Sequence, residues 1–431
     1  MPTPKTFSRV LFITPLAFNK TTGTGITFTN LFKGWPKECI ATIHDDTMTV
    51  TTDVCDTYYR LGGDEIRKFG GSFTNELAEQ ISSGVAYCSP SSDRLKVLQT
   101  LKKWVFGDGL PQRGILTPEL EAWIEDFKPD LIYTILGSNG LMDIVEQVQH
   151  KFDVPLVVHI MDDWMSGAFR NGLLGWVQRF RMLGSIRRII EKSSLRFSIC
   201  DAMSEAYSER FGVPFEAFQN VVNTEAVAPY ITDPTVLRNS VKIVYAGSVL
   251  EYAQQQSLID CCQAVAQLAN GGVPVQLNIH CPPSHITGME EQFVTGPAIK
   301  LFGPLTDDND FFSTICAADI LLIPANFDQK SISFIRYSMP TRVPAYMASG
   351  TPILVYGPLD VAQVQYARKA GWAHIVNKPD AQILKKAIHD LSTNMKLRNN
   401  ISKSARDLAI RQHDIKVVGE QFRKALLSLS V

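Results

Sequence analysis

The chain has 431 residues, 45% of them hydrophobic and 20% charged, with a formal net charge of −1. That length exceeds one ordinary core and implies about two domains, and the composition is that of a globular chain rather than a disordered one. The near-zero net charge gives no reason to expect nucleic acid as a partner.

The elements are read in chain order. After Met1 and a few polar residues comes an apolar run at 10–14, too short for a signal-peptide core and suited to a first strand. No apolar run approaches the roughly 20 residues of a membrane span. A chain without leader or span is expected in the cytoplasm. Further strands are predicted at 39–43, 131–134, 156–160 and 197–199, separated by helical patterns. Residues 220–240 are rich in turn formers, with Pro229 and Pro234, and read as a linker. The pattern then restarts with 242–248, a strand running into the Gly247 turn, and continues through 275–280, 299–302, 320–323, 353–355 and 374–375. A last helix is predicted at about 417–428. Alternating strands and helices in two series specify an α/β chain of two Rossmann-like parallel-sheet domains facing a cleft. Ligands of such sheets bind beyond the C-terminal strand ends. The loops of interest therefore follow Thr14, Thr134, Ile160, Ala246, His280, Phe302 and Ile323, together with the turn at Ser338.

The eight cysteines, Cys39, Cys55, Cys88, Cys200, Cys261, Cys262, Cys281 and Cys316, form no C-x-x-C pair. Buried, reduced thiols are expected, and a zinc site is not.

Several of the loops carry chemistry. In the first, Gly23, Thr24 and Gly25 let backbone approach a phosphate or a sugar closely; the plainer reading is a tight turn. Phe28 stands where a dinucleotide fingerprint has its third glycine, and an acidic ribose ligand is also missing, which disfavours a dehydrogenase. His159, Asp162, Asp163 and Trp164 crowd one strand end. Two carboxylates and an imidazole are costly to bunch without a polar ligand, although a lone strand histidine is commonly structural. The two aspartates divide between acceptor binding, a helix N-cap and, least favoured, a metal. Between Met165 and Phe197 lie Arg170, Arg179, Arg181, Arg187, Arg188, Lys192 and Arg196 against the single acid Glu191, interleaved with apolar residues. Residues 170–196 would suit a peripheral contact with an anionic membrane, or equally a solvated helix over the sheet. At Tyr337 to Tyr356 the order is turn, helix, stop and strand. Ser338-Met339-Pro340 turns, Val343, Met347 and Ala348 form an apolar stripe, and Gly350 ends the helix before Pro352. The N-terminus of that helix would aim free N–H groups at a ligand in the cleft. Lys330, Arg336 and Arg342 are the nearby cations.

Residues 337–356 resemble the donor-sugar motif of the retaining nucleotide-sugar glycosyltransferases of family 4, which have the GT-B architecture. Residues 198–214, ending in Arg210-Phe211-Gly212 and followed by Asn220 and Asn223, repeat that family's wording, as does 319–336. The resemblance runs from Thr14 to about Arg411. It implies a cytoplasmic retaining hexosyltransferase of polysaccharide biosynthesis, possibly working at the inner face of the membrane. The enzyme would move a sugar from a nucleoside diphosphate sugar to a hydroxyl of a glycan or lipid-linked acceptor, without metal, cofactor or nucleic acid. It implies an acceptor-side domain at 1–225, a donor domain at 226–411 and a tail at 412–431 whose helix crosses back. Gly23, Gly25, Gly247, Ser248, Lys330, Tyr337, Ser338, Met339, Pro340 and Thr341 would then bind the donor. Thr24, Asp162 and Asp163 would bind the acceptor, and His159 would touch the donor sugar.

The chain departs from the family at two places. Tyr337 and Ala345 occupy the positions of its two glutamates, and residues 247–256 lack its usual Arg and Lys. Either recognition of the nucleoside differs, or a neighbour supplies the cations, with Arg336 and Arg342 as the catalytic candidates, or the donor site is degenerate. In the last case the chain would be a non-catalytic sugar- or nucleotide-binding scaffold subunit.

Overall fold

The computed structural model describes residues 7–47, 49–68, 111–236 and 238–429. The strands are β1 (Val10–Thr14), β2 (Ile40–His44), β3 (Thr57–Arg60), β4 (Ile66–Lys68), β5 (Gln112–Gly114), β6 (Leu131–Thr134), β7 (Leu156–Ile160), β8 (Leu195–Ser198) and β9 (Glu216–Ala217) in the first half. The second half holds β10 (Val241–Ala246), β11 (Val275–His280), β12 (Ile299–Phe302), β13 (Ile320–Pro324), β14 (Ile353–Tyr356) and β15 (His374–Val376). They form two parallel sheets, ordered β3-β2-β1-β6-β7-β8-β9 and β12-β11-β10-β13-β14-β15, with β4 and β5 paired separately and antiparallel.

The central strands are apolar runs because both faces are covered by helices. β1, β2, β6, β7, β13 and β14 are buried along their whole length. β1, β6, β7, β11 and β12 coincide with the ranges read from the sequence, and β2 lies one residue later. Four short strands had no sequence signal. β3, β4 and β9 carry polar or half-exposed residues and β5 is only three residues long, so none shows an apolar run. Cys55, Cys200, Cys261, Cys262, Cys281 and Cys316 are buried, and Cys88 lies outside the described residues.

Two chain segments connect the sheets, and they pair with each other. Val222 bridges Asp414, its N–H donating to the His413 carbonyl at 2.9 Å and its own carbonyl accepting from the Ile415 N–H at 2.9 Å. The Asp414 carboxylate accepts from the Lys416 N–H at 2.8 Å and so caps the following helix, Ile415–Leu427. Val418, Phe422 and Leu426 repeat every four residues on that helix and are buried in the core of the first sheet. The Phe422 ring lies 5.1 Å from Phe32, 5.2 Å from Phe218 and 5.7 Å from Phe197. The tail helix is thus a structural part of the first sheet's core.

Candidate functional site

The C-terminal ends of both sheets converge on the turn at 337–341, and the first unit holds that turn by hydrogen bonds. The Cys200 thiol donates to the Tyr337 carbonyl at 3.3 Å, and the Ser338 hydroxyl donates to Asp162 Oδ1 at 2.9 Å. Asn220 Nδ2 donates to the Thr341 carbonyl at 2.7 Å, while Asn220 Oδ1 accepts from Asn30 Nδ2 at 2.9 Å. Gly23 lies so close that a Cβ there would stand 2.7 Å from Thr341 Oγ1. The structure therefore brings together Gly23, Asp162, Tyr337, Ser338 and Thr341, which the sequence assigns to opposite walls of the cleft.

The two glycines of the first loop have separate reasons. Gly23 makes room for Thr341, whereas Gly25 makes room for Asn19, whose side-chain atoms would lie 2.3 to 2.5 Å from an added Cβ. Asn19 Oδ1 accepts from the Thr21 and Thr22 N–H groups at 3.0 and 2.8 Å, and Thr22 caps the helix Gly23–Leu31. Thr24 is half-buried beside them, and Phe28 is buried against Phe12.

The helix Val343–Ala348 is a correction to the expected N–H array. It has six residues; the Val343 N–H is taken by the Pro340 carbonyl at 3.0 Å, and Pro344 in its first turn has no N–H. Gly350 follows it with φ +71°, the left-handed stop that the sequence predicts. Met339 and Pro340 are half-buried in the turn before it.

The turn after β10 receives its cations from elsewhere in the chain. Arg342 Nη1 donates to the Ala246 carbonyl at 3.1 Å, and the guanidinium lies 4.5 Å from the Tyr245 ring centroid. Gly247 leaves space for it: a Cβ there would stand 1.7 Å from Nη1. Lys330 Nζ lies 3.8 Å from the Tyr252 ring centroid, within the segment that lacks cations of its own. The Ser248 carbonyl is fixed by the Tyr245 hydroxyl and the Gln254 amide.

His159 is not in the cleft. Its side chain is wholly buried, with Nδ1 2.5 Å from the Tyr133 hydroxyl and its ring 5.8 Å from that of Phe197. Burial holds its pKa down at about 3, only partly offset by the backbone at Phe218 and Ser198. A sugar in the cleft cannot touch this ring as placed, so the expected sugar contact is corrected to a core histidine. The reason is geometric: on a strand covered on both faces, a polar side chain is buried like its neighbours.

Asp162 and Asp163 part company. Asp162 stays open to solvent at the Ser338 contact, yet crowding by protein raises its pKa, against the Ser338 hydrogen bond, and Asp163 raises it further. Asp163 is buried, accepts from the Tyr207 hydroxyl at 2.5 Å and lies 3.7 Å from Arg210. It precedes the short helix Trp164–Gly167 without a side-chain capping bond.

Arg336 does not join Arg342. It lines a separate cavity of about 280 Å³ between the two units, with Asp163, Arg170, Tyr207, Arg210 and Tyr337. Nothing in the sequence singles out Tyr207, and Arg210 stands out there only as part of the stretch that repeats the family's wording.

Three of the seven cations of the basic segment pair with acids, and two more are tied to backbone carbonyls. Arg179 donates to the Met165 and Ala168 carbonyls, Arg181 pairs with Asp143, Arg187 with Glu191 and Arg188 with Glu146, and Arg196 donates to the Ile190 carbonyl. Ile186, Ile189 and Ile190 of the helix Gly175–Lys192 face the sheet, while Leu173, Trp176 and Phe180 are 61%, 70% and 80% exposed. The apolar residues therefore divide into a buried stripe and an open strip. Among the described residues no helix is long and apolar enough to cross a membrane, and no group of three His, Cys, Asp or Glu could hold a metal ion.

No family model matches the chain, and no curated protein matches it. Solved structures do. A complex of HepE from Anabaena with UDP and glucose superposes with a TM-score of 0.61 at 13% identity, covering 98% of this chain and 100% of that one. Sucrose-phosphate synthase from Thermosynechococcus elongatus gives 0.64 at 14% identity, with 98% and 99% covered. The α,α-trehalose 6-phosphate synthase of Burkholderia multivorans gives 0.60 at 14%, with 98% and 97% covered. The chain has the GT-B fold. The Gly23 loop of the first unit closes against Thr341, and Arg342, next to it, reaches the Ala246 carbonyl beside Gly247.

The His159 ring makes stability depend on pH. The folded ring resists the proton that an unfolded histidine accepts near 6.5, so its contribution is complete above that pH and falls as pH drops toward 3. Between pH 7.5 and 5 it accounts for a loss of about 2 kcal/mol. Denaturant unfolding of His159→Gln at both pH values should show a correspondingly smaller loss than the wild type. Equal pH dependence would place a solvated ring at 159.

Gly247→Ala should cost about 1–3 kcal/mol, because Arg342 must give way. In an Arg342→Ala background the steric part of that cost should go, leaving the strain of a side chain at φ +152°. Additive costs in that double-mutant cycle would show that the two residues do not touch.

Proposed function

We propose that this chain is a retaining glycosyltransferase. It moves a sugar from a nucleoside diphosphate sugar to a hydroxyl of a glycan or lipid-linked acceptor. The observation that carries the reading is the delivery of Arg342 and Lys330 to the cation-poor turn after β10, opposite Ser338 and Thr341. Its support from outside is the likeness to HepE, solved in complex with UDP-glucose. In this reading residues 1–225 hold the acceptor, 226–411 hold the donor, and 412–431 return to the first unit.

The chemistry is bond exchange at one carbon. The bond from the sugar's anomeric carbon to the diphosphate breaks, and the acceptor oxygen bonds that carbon from the same face. The acceptor proton passes to the departing phosphate oxygen, so no protein nucleophile is required. Negative charge gathers on the diphosphate as it leaves, and a guanidinium fixed beforehand stabilises it without reorganising. Arg342 is fixed in that sense by the Ala246 carbonyl and the Tyr245 ring. No metal or cofactor enters.

A second reading rests on Ala345, which is buried and has no group for a ribose, and on Tyr337 in place of a carboxylate. Under it the chain is a binding subunit without turnover.

Calorimetry with UDP and the other nucleoside diphosphates separates these from a chain that binds neither. Binding with slow release of sugar from the nucleotide sugar supports the enzyme, and binding without any turnover supports the subunit. Arg342→Ala should lower turnover roughly 10²–10³-fold. Full turnover in that variant would remove Arg342 from the reaction.

The acceptor-side unit is also proposed to rest on an anionic membrane through Leu173, Trp176 and Phe180, next to Arg170. Sedimentation with anionic and neutral vesicles should show binding to the anionic ones that weakens with salt. Trp176→Ser with Phe180→Ser should lower that binding at least about tenfold, since each ring would bury its area in the interface. Unchanged binding would show that the strip does not insert.

A further inference from the structure

The cavity between the units holds three guanidiniums and one carboxylate. Arg170 and Arg210 come from the first unit and Arg336 from the second, with Asp163 the only acid in the lining. Asp163 is buried and already accepts from the Tyr207 hydroxyl, so its charge is committed to the wall. Among the described residues, Arg170 and Arg336 have no acidic partner within ion-pair distance.

Arg210 and the loop of Arg170 are held in place. Arg210 lies over the rings of Tyr207 and Phe211, at 5.7 and 5.4 Å from their centroids. The loop that carries Arg170 is braced by Arg179, which donates to the Met165 and Ala168 carbonyls at 3.1 and 2.6 Å. Burial first, then the nearby Arg170 and Arg210, hold the Arg179 guanidinium below the ordinary arginine range. Three arginines grouped around a concavity with one acid, which lies 3.7 Å from Arg210, leave an excess of positive charge that suits a planar or tetrahedral oxyanion, which takes paired N–H donors from each fork. The Ser166 hydroxyl adds a neutral donor from the first unit, while that of Ser333 is committed to the Gln329 carbonyl at 2.8 Å.

We propose that this cavity binds a phosphate monoester borne by the acceptor. The inference rests on the glycosyl-transfer reading for the word acceptor, but the anion site stands on its own residues. Because Arg336 belongs to the second unit, the bound phosphate also draws the units together. The cavity adjoins Tyr337, the first residue of the turn at the cleft, so the ester group would sit beside the reacting sugar rather than at the diphosphate.

The test is an equilibrium titration of the full chain with inorganic phosphate and with glucose 6-phosphate, followed by calorimetry. Saturable binding is expected. It should weaken roughly tenfold or more in each of Arg170→Gln, Arg210→Gln and Arg336→Gln. It should be unchanged in the surface control Arg187→Gln. It should tighten from pH 5.5 to 7.5, because the second phosphate ionisation lies near 6. Binding that is absent, or equal in all four variants, overturns the site.

UDP titrated into the same proteins keeps the two ideas apart. UDP binding with no phosphate site leaves the glycosyl-transfer reading intact and removes this one. A phosphate site without UDP binding does the reverse. Vesicles then distinguish the source of the ester. A preference for phosphatidic acid over phosphatidylserine that Arg210→Gln abolishes supports a lipid headgroup. Glucose 6-phosphate bound tighter than inorganic phosphate, with no such preference, supports a soluble phosphosugar.

Discussion

The hydrogen bonds between the first unit and the 337–341 turn are the constraint on which the cleft depends. Cys200, Asp162 and Asn220 each reach one residue of that turn, and Gly23 closes against it. Each bond is worth only about 0.5–1.5 kcal/mol net, because water competes for both partners. A ligand entering there can take over the same donors and acceptors at little cost. The other connection between the units is of a different kind. Phe422, Val418 and Leu426 bury apolar side chains at about 1.5–3 kcal/mol each, in a core from which water is excluded. One seam is therefore breakable and the other is permanent. The contacts at the turn are ones that water can replace, whereas Val222 and Asp414 are joined through the backbone.

This division also explains how cations reach a turn that has none. Residues 247–256 follow β10, and strand β10 pairs with β13, whose loop and helix lead to Lys330 and Arg342. Sheet order makes neighbours of segments about a hundred positions apart. Gly247 is then the residue that admits a guanidinium, and its lack of a Cβ is a packing requirement of Arg342. Arg336, only six positions earlier, lies beyond the turn and enters a different cavity.

The two-sheet architecture was legible because parallel strands buried on both faces are written as apolar runs, and β1, β6, β7 and β11 are such runs or nearly so. The helix stop at Gly350 was legible from local chemistry alone. The edges were not, since β3, β4 and β9 bury too little to show a pattern. The site was legible in part. The turn residues and Asp162 meet in space, but nothing local says that they bond to one another. His159 misled because a strand end marks the cleft only for side chains that point out of the sheet's cover, and a linear pattern does not say which do. Arg170 and Arg210 were hidden for the opposite reason, since their partner across the cavity is more than a hundred residues away.

The place of Phe422 has a consequence for biosynthesis. A chain made from its N-terminus folds domain by domain as it emerges, at roughly 5–20 residues per second. Here the ring that fills the gap between Phe32, Phe197 and Phe218 is made only after every strand of the second sheet. The first sheet must wait, with that hydrophobic gap open, while the whole second sheet is synthesised. Its maturation is timed by the other half of the molecule, and a nascent chain stalled before residue 415 would present an unfinished surface to chaperones.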